Sequence, residues 1–181
     1  MVKMKVSVKR KLSLKIKEEI SKIILFFLYR GLNIIYKYDE TLKKEIDSLN
    51  YNYKIKLQLS SNCYSLNLVK DKYGFKKIRN KRNNSNKSNK SNIDDSDLEI
   101  CFKNIDIAFL VLIGNIGISN AYAMHSFTLK GSINEGLKIV RCIEIVEAYL
   151  FPKFMTKKIL KEVPKRKMNI LSTYIHILIN K

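Results

Sequence analysis

The order of hydrophobic periodicities predicts an α+β domain. Helical spacing occupies the first third of the chain, strict apolar/polar alternation follows, and helical spacing returns after a second short alternating stretch. At 181 residues, 46% hydrophobic and 28% charged, the chain is long enough to bury a real core as one domain. Lys and Arg outnumber Asp and Glu by 35 to 16, a net charge of +19 that draws anionic partners to the surface. The excess is gathered in three blocks, 1–22, 70–90 and 153–168, while the stretch 91–152 between the last two is mildly acidic.

Residues 1–16 read as a basic arm in which charge alternates with single apolar residues, without the apolar run of a secretory signal. From residue 17 to about 49, Ile20, Ile23, Ile24, Phe27, Leu28, Leu32 and Ile35 recur at helical spacing. A break is expected near Asp39, whose carboxylate suits the N-cap of a second, shorter helix. At Tyr51 the period becomes two: Tyr51, Tyr53, Ile55, Leu57 and Leu59 share one face of a strand. Tyr64, Leu66 and Leu68 continue the alternation beyond a turn at 60–62, and residues 73–78 give a third strand, an antiparallel meander in all.

Residues 79–97 carry Ile93 as their single apolar side chain among Asn, Ser and Lys, so burial cannot offset the entropy of ordering them, and a mobile loop is expected. Leu98, Ile100 and Phe102 alternate as a strand. Asn104 then suits an N-cap and Gly114 the C′ position of an almost wholly apolar helix, 105–113, which should be buried. A further helical turn is expected at 119–124 and a last strand at 126–130. Ser132 with Glu135 makes the S-x-x-E box that opens a helix running from 133 to about 149. Its polar positions Glu135, Lys138, Arg141, Glu144 and Glu147 fall three apart and read as one stripe. The rest of its circumference is apolar, wider than one sheet face requires, so another helix, a second copy of the chain or a lipophilic ligand should lie against it. Pro152 ends that run; the segment after it is basic, and residues 170–179 read as a short amphipathic helix or an edge strand.

The segment FKNIDIAFLVLIGNIGISNAYAMHSFTLKGSINEGLKIV resembles the sterol carrier protein 2 family in its short helix, Gly-containing turn, helical piece, and strand ending in Lys-Gly before a final helix. Residues 105–113, Gly114, 121–123, 127–130 with Gly131, and 133–146 hold those places. The likeness spans roughly residues 18–150 and is tightest over 98–146. It implies a five-stranded, mostly antiparallel sheet with helices on one face, enclosing an apolar tunnel or cavity for fatty acyl or sterol-like molecules. The chain then divides into the basic arm 1–16, a lipid-binding domain 17–150 with the loop 79–97 inserted, and a basic extension 151–181.

Little in the sequence points to catalysis. His125 and His176 accompany no G-x-S-x-G, H-E-x-x-H or Gly-rich phosphate loop, and an enzyme is not expected. Cys63, Cys101 and Cys142 are scattered and odd in number, which fits a reducing cytoplasm and small apolar roles, with no cofactor implied. Asp94, Asp95, Asp97 and Glu99 lack the glycine and spacing of a calcium loop and more simply balance the basic run before them. No apolar run approaches the ~18 residues of a spanning helix.

The expected function is therefore binding, with transfer or presentation, of a lipophilic small molecule of the fatty acyl, sterol-like or isoprenoid kind, the basic flanks touching anionic membranes. Helical phase selects Leu137, Val140, Ile143, Val146 and Leu150 as the lining, joined by Phe109, Leu110 and Ile113. Two alternatives stay open. Lys70, Lys72, Tyr73, Phe75, Lys76, Lys77 and Arg79 interleave basic and aromatic residues as in a basic RNA- or ribosome-associated protein. An apolar groove holding a partner helix or a second copy would instead make the chain an interaction scaffold.

Overall fold

The structure, a computed structural model, describes the backbone of residues 2–61, 63–78, 96–160, 163–164 and 166–179, and the side chains of these from residue 13 onward. Most of the loop 79–97, with Arg79, Asp94 and Asp95, lies outside the described residues.

The chain opens with α1 (Val2–Ile35), which begins well before the expected position 17. No Gly or Pro interrupts the first 30 residues, and adding turns to a helix already nucleated by its packed half costs little. Asp39 ends the connection as expected: its carboxylate accepts from the backbone N–H groups of Thr41 and Leu42 and opens α2 (Glu40–Asp47). The first strand, β1 (Lys54–Gln58), starts three residues later than the alternation suggests. Asn52, at φ 64°, turns the chain there and leaves Tyr51 exposed.

β2 (Ser65–Asp71) and β3 (Gly74–Ile78) complete the meander through a two-residue turn, and β4 (Leu98–Phe102) and β5 (Phe127–Gly131) extend the sheet. The strand order is β3-β2-β1-β4-β5. Three pairings are antiparallel and β1–β4 is parallel, so the sheet is mixed, five-stranded and mostly antiparallel, and the fold is α+β. Period-two patterning puts Leu66, Leu57 and Ile100 in one cross-strand row and Leu68, Ile55 and Leu98 in the next, all buried on the helix-covered face. On the other face Glu99 sits between Lys56 and Lys130, 3.2 Å from each. Burial pushes its carboxyl up, but hydrogen bonds from the two ammonium groups prevail and hold it below the ordinary value.

The outer edge of β3 is closed by a side chain: Asn33 of α1 donates to Phe75 O at 2.9 Å and accepts from Phe75 N at 2.8 Å, acting as one residue of a sixth strand. Between β4 and β5 lie α3 (Ile105–Leu112), capped by Asn104 as expected, and α4 (Ile118–Ala123). α3 is less enclosed than its composition suggests: Ile105, Ala108, Val111 and Leu112 are buried, and Ile107, Phe109, Leu110 and Ile113 beside them are half-buried. Gly117 at the start of α4 is a point of close approach, because a Cβ there would lie 2.1 Å from the backbone oxygen of Ile159. Gly117→Ala is expected to lower stability by about 2 kcal/mol through forced separation of these segments, measured by urea unfolding.

α5 (Ile133–Leu150) is the central helix, with Ser132 Oγ accepting from Glu135 N. From Ile145 to Leu150 every residue is buried. The surplus apolar circumference is met by other parts of the same chain: α1 on one side, α2 and α4 on others, and the tail segments α6 (Lys153–Ile159) and α7 (Ile170–Ile179) at its end. The last element is thus a helix, not an edge strand. It is latched to the end of α5 by Tyr174 Oη donating to Leu150 O, by Arg166 donating to Phe151 O, and by fully buried Ile177.

Candidate ligand pocket

Where α1, α3 and α5 cross the sheet, they leave a pocket of ≈ 30 Å³. Its floor is Leu57, Ile100 and Phe102 of β1 and β4; α1 contributes Ile24, Leu25 and Leu28 at helical spacing. Val111 and Leu112 of α3, Ile118 of α4, Ile143, Glu147 and Leu150 of α5, and Phe151 close the remainder. Ile24 and Phe151 are the lining residues that keep appreciable exposure, which places the mouth between them. The volume accommodates one or two water-sized groups; a benzene-sized guest needs a cavity of roughly 150 Å³. The feature is a narrow pocket, smaller than a tunnel of acyl-chain dimensions.

Among the residues expected at the lining, Ile143 and Leu150 face this pocket. Val140 and Val146 are buried elsewhere, Val146 against α1 at Gly31. Leu137 is 41% exposed. Phe109, Leu110 and Ile113 of α3 are half-buried away from the pocket, with the Lys17 ammonium 6.0 Å from the Phe109 ring centre.

Glu147 also departs from the polar stripe expected of α5. A spacing of three turns an α-helix by ~300°, about 60° short of a full circle, so the four steps from Glu135 to Glu147 accumulate a lag of ~240° and leave Glu147 ~120° away from Glu135 round the helix. That rotation carries the carboxylate off the solvent face and into line with Ile143 and Leu150, its neighbours at i−4 and i+3. Glu147 is only 5% exposed, and its Oε2 has no hydrogen-bond partner among the described residues. Burial, reinforced by the Glu144 carboxylate one turn away, pushes its pKa up to about 8, so the group is largely a neutral acid at pH 7. Glu144 itself accepts a hydrogen bond from Ser119 Oγ. The signal available in the sequence was local: Glu147 is the one polar residue between Ile145 and Phe151 apart from the Tyr149 hydroxyl.

The other chemistry-bearing groups lie apart from this pocket. His125 is exposed at a turn with φ 51°, its backbone N–H donating to Tyr122 O at 2.9 Å, and His176 rests against the Tyr38 ring. Cys63 and Cys101 are half-buried; Cys142 is buried, and loss of solvent pushes its thiol up to about 12, leaving it protonated. Asp97 accepts from Lys54 N at the start of β1. The basic and aromatic residues of the second and third strands do not share one surface: Phe75 and Lys70 are buried, whereas Tyr73 is exposed under the Lys72 ammonium.

No protein-family model and no curated protein sequence matches the chain. Among solved structures, one described as "UbiJ-SCP2 Ubiquinone synthesis protein" is similar in outline, with 14% identity over 75% of this chain and 99% of that one, at a TM-score of 0.42. At that score and identity the likeness carries no ligand or reaction across.

Proposed function

We propose that the chain is a distant relative of the sterol carrier protein 2 family that binds a lipophilic molecule between its sheet and its helices, in the cytoplasm, by binding rather than catalysis. The observation that carries this reading is the pocket itself, in which twelve of thirteen lining residues are apolar and converge from β1, β4, α1, α3, α4 and α5. A chain-like guest of fatty acyl, sterol-like or isoprenoid kind enters at Ile24 and Phe151 and widens the pocket, replacing contacts between lining side chains by contacts with itself. Native mass spectrometry after gentle purification, followed by lipid extraction, is expected to find a bound lipophilic molecule. A protein that is empty, takes up no fluorescent fatty acid or alcohol, and gains no thermal stability from either would overturn the reading.

Reversible contact with anionic membranes belongs to the same proposal. Leu171, Ile175 and Leu178 of α7 lie at i, i+4 and i+7 and are 77%, 54% and 64% exposed, and Phe154 of α6 is exposed among Lys153, Lys157 and Lys158. Each lysine near an anionic surface adds about 1 kcal/mol of attraction. Cosedimentation with vesicles containing phosphatidylserine is expected, reduced by high salt and by Leu171→Ser with Ile175→Ser. Equal binding to purely zwitterionic vesicles would remove the anionic preference from the proposal, and binding to neither would remove membrane contact.

A further inference from the structure

We propose that Glu147 anchors the head group of the bound molecule, and that the ligand class is a lipophilic compound whose polar group is a neutral hydroxyl or carbonyl oxygen. This deepens the lipophilic-binding reading above and rests on it. Three observations converge. The carboxyl is more than nine-tenths buried, it borders the pocket, and Oε2 is unpartnered among the described residues, which leaves a polar atom without compensation on an otherwise apolar wall. A structural role does not account for it, since a buried polar group with no partner destabilises the fold that contains it.

The chemistry of the group selects the partner. A neutral carboxylic acid offers one O–H donor and one carbonyl acceptor, so it pairs with a hydroxyl in either sense or donates to a carbonyl. A carboxylate head group, by contrast, would be placed beside Glu147 and within range of Glu144, two acidic residues in a poorly solvated setting. With the oxygen held at Glu147, the tail runs past Ile143 and Leu150 toward the mouth at Ile24 and Phe151, where Ile20, one turn earlier on α1, is also exposed. Ser21 Oγ, also buried and without a hydrogen-bond partner among the described residues, is on the side of α1 that carries Leu25 and Leu28.

Displacement of Nile red by 1-decanol, decane and decanoate at pH 7 from the full-length wild type, Glu147→Leu and Glu147→Gln tests the anchor. For the wild type, 1-decanol is expected to bind more tightly than decanoate. Glu147→Leu is expected to weaken 1-decanol by about tenfold and to leave decane unchanged or tighter, because only the hydroxyl loses a partner. Glu147→Gln, which keeps a donor and an acceptor in place, is expected to retain the tighter binding of 1-decanol. If Glu147→Leu affects 1-decanol and decane equally, if Glu147→Gln loses as much as Glu147→Leu, or if decanoate binds as tightly as 1-decanol, the anchor is overturned while lipophilic binding stands. If none of the three compounds displaces the dye or raises the melting temperature of any variant, lipophilic binding itself fails, and the anchor with it.

Discussion

Asp39→Ala is expected to destabilise the protein by about 3 kcal/mol in urea unfolding at pH 7, with an unchanged m value. Asp39 joins three distant parts of the chain through one buried carboxylate. Its Oδ1 accepts from the N–H groups of Thr41 and Leu42 at 2.9 and 3.1 Å, its Oδ2 accepts from Tyr149 Oη at 2.8 Å, and Tyr149 Oη in turn accepts from Lys167 N at 2.9 Å. Loss of the cap accounts for about 1 kcal/mol. Loss of a charge-assisted hydrogen bond to a tyrosine that is wholly inaccessible accounts for a further ~2 kcal/mol, because the hydroxyl is left to donate to nothing. Burial comes first among the influences that push the Tyr149 hydroxyl up to about 12, so it cannot adapt by ionising. Asp39→Asn keeps an oxygen at the cap and should cost about 1 kcal/mol, and Tyr149→Phe should fall between the two. The tail from Lys167 onward is tied down through the same hydroxyl, so Asp39→Ala should also quicken proteolysis near Lys167 under native conditions. An Asp39→Ala protein within 0.5 kcal/mol of wild type would show that the three-way junction contributes little.

What could be seen in the sequence follows from how local each determinant is. Asp39, Asn104 and Ser132 act on amides two or three residues away, so the starts of α2, α3 and α5 were visible without any tertiary information. The alternation of Leu98, Ile100 and Phe102 likewise needed only the pleat. The length of α1 was missed because its first turns are set by propagation from the packed half, not by their own pattern. The early start assigned to β1 failed at Asn52, where a left-handed residue overrides an alternation that continues through it. The parallel β1–β4 pairing, and the approach of Ile24, Leu25 and Leu28 to the sheet, join segments far apart in the chain and leave no short-range trace. For the pocket, helical phase selects Ile143 and Leu150, which border it, together with Leu137, Val140 and Val146, which do not, and it places Glu147 in one polar stripe because a spacing of three looks fixed.

The pH dependence of stability is expected to separate Glu147→Gln from wild type strongly. In the folded protein, burial first and the Glu144 carboxylate second raise the pKa of Glu147 from 4.5 to about 8; in the unfolded chain it titrates near the ordinary value. Below pH 4.5 the acid is protonated in both states and the group imposes no ionisation penalty. As the pH rises from there, the unfolded chain releases this proton while the folded protein retains it, so stability falls, and the loss is complete once the pH passes about 8. The gap between the two values corresponds to ~3–5 kcal/mol at its full extent. Gln has nearly the same shape and does not titrate, so the variant lacks this slope. Urea unfolding at pH 5, 6.5 and 8.5 should show the stability of Glu147→Gln relative to wild type rising by that amount from the lowest to the highest pH. Taking the difference removes the contribution of the other titrating groups, including Glu99, whose depressed pKa acts in the opposite direction, adding stability above its unfolded value and losing it as pH falls. Two parallel curves would mean that Glu147 reaches water in the folded state. Since the carboxyl borders the pocket, such a result would also mean that the pocket admits solvent as readily as it is proposed to admit a lipophilic guest.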